Sequence, residues 1–256
     1  MIDLIPHDLT GLDRVALGLF LLAWLGYGPA AQALRPRRSM AIRMFEMRRA
    51  WMSSMLGREN RITDASLIGN VVHSATFFAS TTVVALAAMV GMLGSLDSTH
   101  AAVQGLDFTV KGSRALLESK VLLLVLVFAY GFLKLSWAVR QLNHCVALIG
   151  AAPLRPDAAR GDAFAERAAD ALSLAVGSFD AGIRAYYFAL AALAWLLGPG
   201  AFALATAGIV AMLLWRQFGS AASAAIRGSE AALGEGGAAP ELLRTGAGEP
   251  GYVASA

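Results

Sequence analysis

The chain has 256 residues, 57% hydrophobic and 15% charged, with a mean hydropathy of +0.59, which lies outside the soluble range and points to a membrane protein. The net charge of +3 and pI of about 9.3 come from arginines at the ends of apolar stretches rather than from a basic stripe, which excludes nucleic acid as a partner. A single cysteine, Cys145, excludes an internal disulfide, and with no CxxC or paired-histidine spacing neither a metal nor a cofactor is expected.

Asp3, Asp8, Asp13 and Arg14 precede an apolar run from Val15 to Leu34. A secretory signal carries positive charge before its apolar run, so this segment is expected to remain as a first span, although Ala31-Gln32-Ala33 mimics a cleavage site. At about 1.5 Å per residue the run matches a hydrocarbon core of about 30 Å. Arg35, Arg37 and Arg38 follow it, which puts the N-terminus outside and this end of the span in the cytoplasm.

Residues 40–60 read as an amphipathic helix, with Met40, Met44, Met47, Trp51 and Met55 at helical spacing and Arg43, Glu46, Arg49 and Ser53 opposite. Two readings fit this pattern equally: a helix lying in the membrane interface, where methionine accommodates irregular contacts, or one packed on the cytoplasmic end of the bundle. Arg48 falls on the apolar side beside Trp51. It either snorkels or pairs with a carboxylate or lipid phosphate, and Glu59 shares its side if the helix stays regular that far.

Asp64 is placed to cap a second span over residues 67–94. Gly69, His73, Thr76, Ser80, Ala87, Gly91 and Gly94 fall on one stripe of that helix. Small and hydroxylated residues on one stripe mark a helix–helix interface, with a lined pore as the alternative. His73 is the member that an interface explains least.

The polar stretch from Ser95 to Glu118 is expected outside. A third span over 120–140 ends at Lys134, Trp137 and Arg140, and Pro153 and Pro156 then stop the helix. Residues 157–180 read as a cytoplasmic helix partly packed on the bundle. The apolar stretch from Ile183 to Phe218 is broken by Gly198-Pro199-Gly200, a turn signal that makes it two spans, 183–198 and 200–218. Residues 228–256 read as a flexible cytoplasmic tail. The fold class is an all-α membrane bundle of about five transmembrane helices plus an interfacial amphipathic helix and a cytoplasmic helix, one domain over 1–227. Arginine outnumbers lysine eighteen to three, which fits a GC-rich bacterial genome, and the expected location is a bacterial inner membrane with the N-terminus outside and the C-terminus inside.

Polar residues at one predicted depth are Asn70, His73, Lys134, Arg140, Arg184, Tyr186, Tyr187, Arg216 and Gln217. They either line a basic inner-leaflet pocket for an anionic headgroup or solute, or act as separate interfacial anchors. With Arg48, Trp51, Thr76 and Ser80 they make up the candidate lipid- or solute-binding set. No catalytic constellation stands out: the four histidines are scattered, no serine lies in a GxSxG motif, and the predicted spans hold no carboxylate.

Arg48-Arg49-Ala50-Trp51-Met52, Arg61-Ile62-Thr63-Asp64-Ala65, Asn70 and Ser74-Ala75-Thr76-Phe77-Phe78-Ala79-Ser80-Thr81-Thr82 resemble the domain-of-unknown-function 599 family of integral membrane proteins. Lys134 to Asn143, and Arg184-Ala185-Tyr186-Tyr187-Phe188-Ala189 leading to Trp195 and Gly198-Pro199, extend the resemblance to about Gln217. It implies a multi-pass membrane protein and brings no activity, cofactor or substrate. The expected function is non-enzymatic: a lipid- and partner-binding homo-oligomer or an accessory subunit of a membrane complex, or else a small oligomeric channel for an anion or small solute.

Overall fold

The computed structural model describes residues 8–33, 40–105 and 112–218, and every regular element among them is helical. In chain order these are α1 (Gly11–Ala33), α2 (Met40–Leu56), α3 (Ile62–Gly94), α4 (Leu96–Gln104), α5 (Arg114–Ala151) and α6 (Ala158–Leu193). A 3-10 turn at Ala194–Leu197 then leads to α7 (Pro199–Phe218). Four of them, α1, α3, α5 and α7, are long and apolar enough to cross a membrane. Arg35, Arg37, Arg38 and the tail over 228–256 lie outside the described residues, as does the side chain of Gln217.

α5 and α6 form the centre. They have 38 and 36 residues, each about 55 Å long at about 1.5 Å per residue, nearly twice the thickness of a bilayer core. They run antiparallel and touch backbone to backbone at Gly131 and Gly182. A Cβ on Gly182 would stand 2.5 Å from Leu135 Cγ and 3.3 Å from the Gly131 carbonyl oxygen, and one on Gly131 would stand 3.0 Å from Ala185 Cβ. Further along the seam, Ser178 Oγ donates to Gln141 Oε1 at 2.8 Å.

The seam carries two apolar cores. Toward the end that holds Asp13, Phe20, Phe188, Trp195 and Phe202 join α1, α5, α6 and α7. Toward the end that holds Arg61, Met52, Met55, Ile68, Leu142 and Leu172 join α2, α3, α5 and α6. Gly198 sits at φ 123° between the 3-10 turn and α7, a conformation that favours glycine, and Pro199 opens α7 at the position where its missing N–H costs nothing. The expected hairpin is therefore present.

Three boundaries differ from the sequence reading. First, the cytoplasmic helix over 157–180 and the span over 183–198 are one helix, α6. Asp157 caps it by accepting from the Arg160 N–H at 3.0 Å, and no proline follows until Pro199. Hydropathy changes along the helix, but the backbone has no reason to break. Second, α2 stops at Leu56, and Glu59 turns away from Arg48 to pair with Arg155 at 3.2 Å. Met52, Met55 and Leu56 are buried against the bundle, so the packed reading of α2 describes it.

Third, Asp64 is not a cap. α3 begins at Ile62 with Arg61 at its N-cap, and the Asp64 side chain is fully buried in the first turn. The Arg61 guanidinium reaches across to donate to the Ile149, Ala152 and Pro153 carbonyls, where the C-terminus of α5 leaves acceptors unpaired. Both turns at this end are thereby tied together, and the Arg155 N–H donates to the Leu56 carbonyl at 3.0 Å.

The seam predicts a contrast between glycines. Gly182→Ala is expected to lower stability by about 1–3 kcal/mol through overpacking against Leu135. Gly208→Ala, with nothing within 4 Å of the added Cβ, is expected to be neutral or slightly stabilising, because alanine is the better helix former. Thermal unfolding of both variants in one detergent checks this.

Candidate functional site

Charged and aromatic side chains gather along α6, which packs against α2 near one end of the group and against α1 and α7 near the other. Arg48, half-buried on α2, donates through Nη1 to Ser173 Oγ at 3.1 Å. Its carboxylate neighbour is Asp180 on α6 rather than Glu59; burial pulls the pKa of Arg48 down and Asp180 opposes that. Arg184, one turn after Asp180, lies 5.8 Å over the Tyr27 ring of α1. Arg216 at the end of α7 donates to the Tyr187 hydroxyl at 2.8 Å and lies 5.8 Å over that ring. All three guanidiniums attract Asp180.

Of the residues expected at one depth, Arg184, Tyr187 and Arg216 therefore come together, with Arg48 of the wider candidate set nearby. The others lie on other faces. Tyr186 points to α3, where its hydroxyl and that of Thr82 lie 2.6 Å apart and reach the Phe78 carbonyl at 2.8 and 2.7 Å. Lys134 lies 5.6 Å over Tyr130, whose ring meets Trp24 edge-on. Arg140, Asn70 and His73 are exposed. Trp51 belongs to the Arg61 end, where its indole N–H donates to Asp64 Oδ1 at 2.7 Å and Arg58 donates to the same oxygen.

The stripe on α3 faces away from the bundle. Gly69, His73, Thr76, Ser80, Ala87, Gly91 and Gly94 are all exposed, while Asp64, Ile68, Ala75 and Thr82 are the buried positions of the helix. At about 100° per residue the two faces stand roughly 130° apart. The interface expected of the stripe is thus not one within this chain. Ser74, Thr81 and Thr82 return their hydroxyls to the carbonyls of Asn70, Phe77 and Phe78 at 3.0, 2.9 and 2.7 Å. His73, Thr76 and Ser80 make no hydrogen bond among the described residues.

Several residues of these clusters were not singled out from sequence. Tyr27, Ser173 and Asp180 complete the arginine group, and the spacing of Ser173, Asp180, Arg184 and Tyr187 is a helical polar stripe that could have revealed it. At the opposite end Asp13, 3% exposed, accepts from Thr10 Oγ1 at 2.6 Å, Thr10 N at 3.1 Å and Trp195 Nε1 at 2.8 Å. Thr10 Oγ1 accepts in turn from the Asp13 N–H at 3.2 Å, a reciprocal cap whose spacing was legible in Thr10-Gly11-Leu12-Asp13. Lys120, 5% exposed, supplies the countercharge 5.8 Å over the Trp195 ring. α1 therefore carries a buried carboxylate in its first turn, ahead of the residues assigned to the first span. Among the described residues no group of three or more His, Cys, Asp or Glu is placed to hold a metal.

An all-α arrangement with four apolar helices of spanning length, a polar tie at each end and an arginine cluster facing the inner part of α1 and α7 defines a multi-pass membrane protein. The chain belongs to the family described as "Protein of unknown function, DUF599", whose sequence profile matches residues 15–222. No curated protein and no solved structure matches it.

The two indole–carboxylate ties carry an expectation. Trp51→Phe and Trp195→Phe each leave a buried aspartate oxygen without its indole donor, and each is expected to cost about 1–3 kcal/mol. The loss should appear as a lowered unfolding temperature in detergent, with little change for the exposed Trp137→Phe.

Proposed function

We propose that the protein is a multi-pass inner-membrane protein of a bacterium, with no catalytic role of its own, that acts by assembly. Copies associate through the outer face of α3, or the same face seats the chain in a larger membrane complex. The observation that carries this reading is the α3 stripe, in which small residues leave room for a second helix and three polar side chains make no hydrogen bond among the described residues. Lipid tails offer such groups nothing to bond. Copies inserted with the same topology hold equivalent residues at the same depth, so Thr76, Ser80 and His73 of one copy meet acceptors and donors at matching height in the next. The charge rule supports placing the Arg61 end in the cytoplasm, with the N-terminus outside and the C-terminus inside.

Pairwise cross-linking tests the assembly. With Cys145 replaced by alanine, Thr76→Cys and Ser80→Cys are expected to form disulfide-linked dimers in native membranes, whereas Leu133→Cys, exposed on α5, is expected to stay monomeric. Equal cross-linking at all three positions, or none at the stripe, would overturn self-assembly through α3. Stripe cysteines that link to another protein would assign the accessory role.

The same unpartnered groups favour a second reading, a facilitator for an anion or small solute whose path runs between copies along Thr76 and Ser80 past His73. Reconstituted protein would then pass solute down a gradient, and His73→Ala would reduce the rate. Liposomes that stay tight under several gradients would remove this reading.

A further inference from the structure

The arginine cluster points to a ligand of its own. Arg184 is half-buried, and its guanidinium donates no hydrogen bond among the described residues; its one close partner is the face of Tyr27. A guanidinium has five N–H donors in a fixed fork that matches phosphate oxygens. Leaving them without acceptors in a partly desolvated place is costly. Three guanidiniums, of Arg48, Arg184 and Arg216, lie near enough to one carboxylate, Asp180, to attract it, and none of them forms an ion pair with it. The cluster is thus positive in excess, and among the described residues the Arg184 donors remain uncommitted.

Its depth is also defined. At about 1.5 Å per residue Tyr27 stands about 24 Å from the Asp13 end of α1 and Arg216 about 26 Å from that end of α7, and Arg184, about 14 Å from the end of α6 with the 3-10 turn beyond it, places its guanidinium at the level of Tyr27, in the part of a core about 30 Å thick that lies away from Asp13. Trp215, 64% exposed beside Arg216, is an interfacial residue type at that level. The geometry points to a phosphate site: Arg184, with Arg216, holds the phosphate of a ligand between α1, α6 and α7, Arg48 adds positive charge from α2, and at this depth that phosphate belongs to the headgroup of an anionic phospholipid. Asp180 keeps the empty site from carrying three uncompensated charges, and the Tyr187 hydroxyl orients Arg216. The inference does not depend on how α3 is used.

The full-length protein, delipidated in mild detergent, is titrated by native mass spectrometry with phosphatidylglycerol and with phosphatidylcholine, and its unfolding temperature is followed separately with inorganic phosphate. One phosphatidylglycerol per chain is expected to bind in preference to phosphatidylcholine. Arg184→Gln is expected to weaken that binding about tenfold, as losing charge-assisted hydrogen bonds would. Asp180→Asn is expected to tighten it about threefold by removing a like charge, a gain that misfolding cannot imitate. Protection by inorganic phosphate, abolished by Arg184→Gln and without any lipid preference, would keep the donors and assign them a soluble phosphate in place of a headgroup. Equal binding of the two lipids with no phosphate effect would overturn the site, as would a folded Arg184→Gln variant that binds like the parent.

Discussion

The backbone contact between α5 and α6 at Gly131 and Gly182 is the constraint on which the rest of the fold depends. With no side chain at Gly182, Leu135 lies directly against the α6 backbone, and two helices of about 55 Å are held side by side over most of their length. Neither half of that seam could be covered by the seam alone. α1 and α7 cover the half beside Phe188 and Trp195, and α2 and α3 cover the half beside Leu142 and Leu172. The second half of α6 is buried along one side, through Ala181, Ala185, Phe188, Ala189 and Ala192, and exposed along the other at Asp180, Leu190 and Leu193.

Each end of the bundle is closed by a carboxylate that would be prohibitive if left alone. Asp13 and Asp64 are both nearly or fully buried, and each accepts from an indole N–H on another element and has a cation close by, Lys120 and Arg58 respectively. Hydrogen bonds and countercharge offset the cost of desolvation. The arrangement also fixes register: Asp13 joins the start of α1 to the turn before α7, and Asp64 joins α2 to the start of α3. Arg61 adds a third link at that end by ending α5 with its own side chain. The arginine cluster between the two ends differs from both, because its cations outnumber its carboxylate and Arg184 finds no acceptor among the described residues.

α3 stands apart. It is held by one face, through Ile68, Ala75 and the Thr82–Tyr186 contact, and its other face holds small and polar residues that are exposed, three of them without a hydrogen bond among the described residues. A helix buried on all sides would have no use for three unpartnered polar groups. That asymmetry connects the fold to the assembly proposed for it, since the same exposed residues are the ones that a second copy would meet at equal depth in that proposal.

The sequence by itself determined the class of the protein, its apolar helices, the proline stop after α5, the Gly-Pro hairpin and the existence of the α3 stripe. Each of these is written in local pattern: hydropathy over about twenty residues, a residue unable to continue a helix, or a period of 3.6. It also contained the spacing of Thr10 and Asp13 and the polar stripe through Asp180 and Arg184, which local pattern reveals only once a partner is known. Tertiary structure alone decided that 158–193 is one helix, that Asp64 is a buried acceptor and no cap, and that Tyr186 and Tyr187, adjacent in sequence, serve α3 and the arginine cluster separately. The reason is geometric. Depth along a helix can be counted from sequence, whereas its rotation, which settles whether Arg184 or His73 has company, is set by the packing of α5 against α6.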